Sequence, residues 1–196
     1  MERITRLSRW INILLLLLAT LHLASYITVV TLGEAVSGQS GGVEYQFTLS
    51  WWGWFESYLR VDFSPSWQAL VADINAQGFH AGLLVGAVEV LPYLFIYGLL
   101  ARLFSLYSRG EVFSRANFTC FTRIAYVFFA WVLLSLFYPL LLVVFLRLFA
   151  GAEPLSIYLS IGSDEIKLAL VGLIFYCVGY VMQQAHELDA EAQLTI

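Results

Sequence analysis

Residues 121–149 read FTRIAYVFFAWVLLSLFYPLLLVVFLRLF, and Arg123 and Arg147 are the only charged residues in the run. Between them the polar groups are those of Tyr126, Trp131, Ser135 and Tyr138. A helix rises about 1.5 Å per residue and needs roughly 20 mostly apolar residues to cross the hydrocarbon core of a bilayer. Strands of a membrane barrel alternate in polarity, and this run does not. The stretch predicts a transmembrane helix.

Working outward, three further segments read the same way, at about 10–32, 81–106 and 165–182. Lipid offers no partner to a backbone N–H or C=O, so each segment is expected to be helical. Of the 196 residues, 60% are apolar and 12% are charged. That is about half the charge of a soluble domain, too little for a water-facing surface of this length. The fold class is therefore all-α membrane. It is read as one domain over residues 1–196, a four-transmembrane-helix bundle with a small extracytoplasmic subdomain in the loop at 33–80 and a cytoplasmic tail at 183–196. The net charge of -4 argues against direct nucleic-acid binding. Cys120 and Cys177 are the only cysteines, which excludes a disulfide framework and a paired-cysteine metal or redox motif.

Arg3, Arg6 and Arg9 precede the first span. The apolar run after them exceeds the roughly 7–15 residues of a signal peptide, so it reads as an uncleaved anchor. Arg102, Arg109, Arg115 and Arg123 flank the connection between spans two and three. Only Arg60, Arg147 and Lys167 fall on the other side. The positive-inside rule puts both termini in the cytoplasm. The expected location is the bacterial cytoplasmic (inner) membrane.

Within the first loop, 38–42 is a Gly-rich connector. Val43, Tyr45, Phe47, Leu49 and Trp51 then alternate with polar residues, which predicts a strand. A second short strand is expected at about 58–63. Ser64-Pro65 suits a helix start, and Trp67, Leu70, Val71 and Ile74 space as one apolar helix face ending near Gly78. Trp51, Trp52, Trp54 and Trp67 suit a membrane–water interface or an external aromatic surface for a ligand or partner. A claudin-like loop is excluded, because this one has no cysteine pair.

In the loop between spans two and three, Gly110 reads as a helix stop, Ser114 as an N-cap and Phe113 as an interfacial anchor. Arg109 and Arg115 suit lipid headgroups or a cytosolic partner. The fourth span continues into 183–194 with helix formers and an apolar stripe. Glu187 and Glu191 disfavour an isolated helix end, so they suit a basic surface, either the arginines of the loop or a partner.

Glu89 is the one carboxylate well inside a span. Such residues normally face the protein interior and find a partner. Counted from the cytoplasmic helix ends, His22 lies about 18 Å deep and Glu89 about 20 Å deep. The two are expected to pair, either as interhelical glue or as a proton or cation site. Pro92, three residues on, removes a backbone donor and is expected to kink span two; Pro139 does the same for span three. Gly82 with Gly86, and Gly172 with Gly179, offer small faces for close packing. No nucleophile–base set, phosphate loop, metal cluster or cofactor motif emerges, so no catalytic residue, metal or cofactor is expected and an enzyme is not.

Gly110-Glu111-Val112-Phe113, with Asn117 four residues later, and Ala185-His186-Glu187-Leu188, with Glu191 and Leu194-Thr195-Ile196, carry a resemblance. On these residues the chain resembles the YoaS-like family of small bacterial four-pass membrane proteins of unknown function. The resemblance implies a cytosolic helix-turn-helix regulator as partner, since such proteins are often encoded beside one. The long aromatic first loop departs from the minimal family plan. Three roles follow: a regulatory or sensory membrane protein with a cytosolic partner at Arg109, Gly110, Phe113, Arg115, Asn117, Glu187, Leu188 and Glu191; a small transporter or proton-linked bundle using Glu89; or a structural subunit of a membrane complex. A homo-oligomer is compatible with each.

The proposed pair has a direct test. In a double-mutant cycle of His22→Ala and Glu89→Gln, unfolding in mixed micelles should show coupling of roughly 0.6–1.7 kcal/mol. Strictly additive costs would mean that the pair is not made.

Overall fold

The computed structural model describes residues 2–37, 43–51, 55–61, 67–112, 114–151 and 162–194. Helix α1 (Glu2–Leu32) is followed by strands β1 (Glu34–Ser37), β2 (Val43–Trp51) and β3 (Phe55–Val61), then by α2 (Gln68–Ala76), α3 (Ala81–Ser108), α4 (Arg115–Phe149) and α5 (Ser163–Leu194). Helices α1, α3, α4 and α5 are long and apolar enough to cross a membrane. They match the four predicted segments, and each runs past its predicted bounds at one end or both because polar flanks continue the helix.

The strands form an antiparallel sheet in the order β1-β2-β3. Strand β2 coincides with the predicted alternation, and it pairs with β3 from Tyr45↔Val61 to Trp51↔Phe55. Strand β3 begins three residues earlier than predicted and ends two earlier. Strand β1 was not predicted: its four residues are too few to show a period, and pairing with Val43–Gln46 of β2 makes them a strand. The predicted helix start at Ser64-Pro65 lies outside the described residues. Helix α2 is capped at Trp67 without a side-chain bond, and its end is followed by Gly78 at a φ of +81°.

The chain forms two compact units, 1–20 with 92–132 and 163–196, and 21–91 with 133–162. In the second unit α2 is part of the core. Val71 and Ile74 are fully buried together with Val29 of α1 and Val85 of α3, and Leu146 of α4 is buried beside them. The apolar face read from the spacing of Trp67, Leu70, Val71 and Ile74 is thus the buried face. Each such side chain contributes about 1.5–3 kcal/mol relative to exposure in water.

Helix α1 meets α3 through one aromatic. The Tyr26 hydroxyl donates to the Gly82 carbonyl at 2.8 Å. A Cβ on Gly86 would fall within 2.6 Å of Tyr26 Cε2. The small pair Gly82/Gly86 is therefore a slot for a ring. In the other unit, α5 packs on α4 along a heptad-spaced seam of Glu165, Leu168, Gly172, Phe175, Gly179, Met182 and His186, all buried or half-buried. A Cβ at Gly172 would lie 3.0 Å from Phe128 Cβ, and one at Gly179 3.0 Å from Thr122 Oγ1. Between them the Phe175 ring stands about 6 Å from those of Phe121 and Phe128. The seam ends with His186, whose ring centre is 6.2 Å from that of Phe118.

Gly86→Ala should displace Tyr26 and cost about 1–3 kcal/mol, as overpacking does. Gly98→Ala, at an exposed position with open space around it, should cost nothing measurable or stabilise α3. Unfolding of both variants in mixed micelles checks the contrast; equal effects would contradict the slot.

Candidate functional site

On α1, Ala19, His22, Tyr26 and Val29 lie on one inward seam at i, i+3, i+7 and i+10. His22 is half-buried on it. Tyr26 fixes the register with α3 through Gly82 and Gly86. Because α1 and α3 are antiparallel there, one turn from Tyr26 to His22 corresponds to one turn from Gly86 toward Val90. Position 89 lies on the Gly82–Gly86 face of α3, seven residues from Gly82. Backbone register thus puts His22 and Glu89 at one level. The side chain of Glu89 lies outside the described residues. Pro92 is buried, and α3 runs through it unbroken.

A second feature joins the segment before α2 to a span. Pro139 sits inside α4 and has no N–H. The carbonyl four residues earlier, that of Ser135, therefore lacks its helical donor. The indole Nε1 of Trp67 donates to that carbonyl at 3.2 Å. The Trp67 and Tyr138 rings stack with centroids 5.9 Å apart, and the Tyr138 hydroxyl donates to the Leu84 carbonyl of α3. Trp67 is only 3% exposed, so it is not part of an exposed aromatic surface. It was grouped with Trp51, Trp52 and Trp54 because the sequence gives no sign of what α2 packs against. The side chain of Trp51 and the whole of Trp52 and Trp54 lie outside the described residues.

The connection between α3 and α4 closes as its motif predicts. Gly110 has a φ of +81°, a conformation that favours glycine, and Glu111 N–H donates back to the Leu106 carbonyl at 3.1 Å. Ser114 Oγ accepts from the Asn117 backbone N–H at 3.3 Å, an N-cap. The Asn117 side chain is fully buried, and its Nδ2 donates to the Val112 carbonyl, tying the loop onto α4. Arg109 and Arg115 are exposed, and Phe113 lies outside the described residues. On α5, Gln183 Nε2 donates to Glu187 Oε1 at 2.9 Å, and Leu188 is 65% exposed. The side chain of Glu191 lies outside the described residues. Among the described residues no ion pair joins Glu187 to Arg109, Arg115 or Arg123.

Sequence reasoning did not single out Tyr26 or Tyr138. Their signals were present, in the Gly82/Gly86 spacing and in the position of Tyr138 beside Pro139. Among the described residues no group of three His, Cys, Asp or Glu side chains could hold a metal.

The family described as "Protein of unknown function (DUF2975)" matches residues 50–196. No curated protein and no solved structure matches the chain.

The Trp67 bond should matter only while Pro139 is present. Trp67→Phe and Pro139→Ala, alone and together, should couple by about 0.6–1.7 kcal/mol, because Pro139→Ala restores the helical N–H that proline withholds from the carbonyl Trp67 bonds. Additive costs in a micelle unfolding series would remove the link.

Proposed function

The chain belongs to the DUF2975 family, and from that premise we infer a regulatory or sensory membrane protein whose helical tail engages a cytosolic partner. One observation supports this reading above the others: α5 continues past its apolar stretch as a single helix. Its inward seam holds to His186, which leaves Glu187 and Leu188 exposed beyond the seam. An exposed leucine beside an acid on a rigid helix suits a partner with an apolar groove and basic rim. With Arg3, Arg6, Arg9, Arg102, Arg109, Arg115 and Arg123 placed toward the cytoplasm by the positive-inside rule, the tail faces it too. Trp67 then provides the other half of a sensor, since it ties the external segment to α4 by its bond to Ser135. The partner class is a helix-turn-helix regulator, and the membrane is the bacterial inner membrane.

A second reading has its own support. The register that levels His22 with position 89 suits a proton- or cation-linked bundle.

The two separate cleanly. Co-purification from membranes should recover a helix-turn-helix regulator with the full chain and lose it when residues after Gln184 are removed. Glu89→Gln should leave recovery unchanged. Recovery that survives the truncation, or never occurs, would sink the regulatory reading; proton flux in vesicles lost in Glu89→Gln would establish the second.

A further inference from the structure

The unit formed by 1–20, 92–132 and 163–196 carries polar side chains inside its basic end. On α1 an inward seam runs Thr5, Ser8, Asn12, Leu15 at heptad spacing. Ser8 and Leu15 on it are buried, whereas Leu7, Trp10, Ile13 and Leu14 on the other faces are exposed. Thr5 Oγ1 donates to the Ser108 carbonyl at the end of α3 at 3.3 Å. That bond sets the level of α1 against α3: three residues up from Thr5 is Ser8, and three residues up from Ser108 is Ser105. Asn117 lies two residues into α4, just across the closing loop, and so belongs to the same layer. Asn12 is one turn deeper, by about 6 Å.

Two oxygens of this layer are not met by protein. Asn117 is fully buried, and Oδ1 of Asn117 and Oδ1 of Asn12 have no hydrogen-bond partner among the described residues. Turning the Asn117 amide over would not help, because its Nδ2 is the donor to the Val112 carbonyl. A buried amide oxygen left unmet costs its full desolvation, and here two stand on different helices within about one turn of height. Both are acceptors, so what they need is a small donor. A cation is disfavoured, since Arg6, Arg9, Arg109 and Arg115 are exposed around this same end. Water fits, because a buried water bonds two to four polar groups at once. On the inner side the layer is closed: seven residues on from Ser8 and Asn117 stand Leu15 and Ile124, both buried and apolar.

We propose that the basic end of this unit is a water inlet, with ordered water bound by Asn12 Oδ1, Asn117 Oδ1 and the Ser8 hydroxyl, open to the aqueous phase on the arginine side and stopped at Leu15 and Ile124. An apolar constriction of this kind excludes water by dewetting. The inlet uses neither the tail nor Glu89, and so goes beyond both functional readings.

Thiol labelling of the full chain in nanodiscs tests it, on a background of Cys120→Ala with Cys177→Ala. The probe is 2-sulfonatoethyl methanethiosulfonate, which attacks thiolates in water. Ser8→Cys and Asn12→Cys should label at least about tenfold faster than Leu15→Cys or the lipid-exposed Leu16→Cys, because a thiol raised by one pKa unit or more through burial loses tenfold of its thiolate. Asn12→Cys as slow as Leu16→Cys would overturn the inlet, and Leu15→Cys as fast as Asn12→Cys would overturn its stop. Slowing of Ser8→Cys when sodium or potassium replaces N-methylglucamine would assign the oxygens to a cation and overturn water as the ligand. A measurement on the wild type needs no variant to fold. In water-edited solid-state NMR the Asn12 and Asn117 side-chain amides should gain polarisation from water before the Leu15 and Ile124 methyls do; simultaneous gain would refute the proposal.

Discussion

In hydrocarbon a backbone carbonyl has no water to turn to, so one freed by a proline must be met by the protein. Pro139 frees the carbonyl of Ser135, and the indole of Trp67 meets it. That single bond recruits a segment from outside the spans into the core. With Trp67 seated, Leu70, Val71 and Ile74 follow as the apolar face of α2, packed among α1, α3 and α4. Tyr138, next to the proline, stacks on the same indole and reaches α3 at Leu84. Tyr26 repeats the device from α1, with its hydroxyl on the Gly82 carbonyl. Aromatic rings that carry one donor thus join four helices without placing an unsatisfied polar group in lipid.

The unit that contains α5 packs by a different device. Along α5 the inward seam places glycines at 172 and 179 on either side of Phe175. The glycines bring α5 close to Phe128 and Thr122, and the ring between them fills the space that is left. In lipid the hydrophobic effect gives helices no reason to associate, so close contact and ring packing have to supply it. The same seam continues past the apolar stretch to His186, which is why the tail starts as a rigid extension of a span.

Much of this was legible in the sequence because membrane helices obey a coarse rule of length and apolarity. The four helices, the β2 alternation, the Gly110 stop and the Ser114 cap all follow from rules local to a few residues. The small pairs at Gly82/Gly86 and Gly172/Gly179 were legible as packing faces, but the partner of each was not. Strand β1 was missed because Glu34–Ser37 has no pattern of its own; it is a strand only by pairing with β2. Trp67 was misplaced for a similar reason. An interfacial and a buried tryptophan look alike in sequence, and the difference lies in a carbonyl 68 residues away. The proline that frees that carbonyl was visible; the donor that meets it was not. The pairing of His22 with Glu89 was read by counting depth alone; the Tyr26 hydroxyl on the Gly82 carbonyl fixes only the backbone register of α1 against α3.

These cases share a logic that separates the polar residues of the spans by what lipid would charge for them. Asn117 is fully buried; its Nδ2 donates to the Val112 carbonyl and ties down the loop, while its Oδ1 has no hydrogen-bond partner among the described residues. His22 lies on an inward seam, where a polar ring can be met by protein. Arg102 and Arg123 lie outward, on faces whose other members are apolar and exposed. Near the basic end of the two helices a long arginine stem carries its charge out to water, as the positive-inside placement of both residues requires.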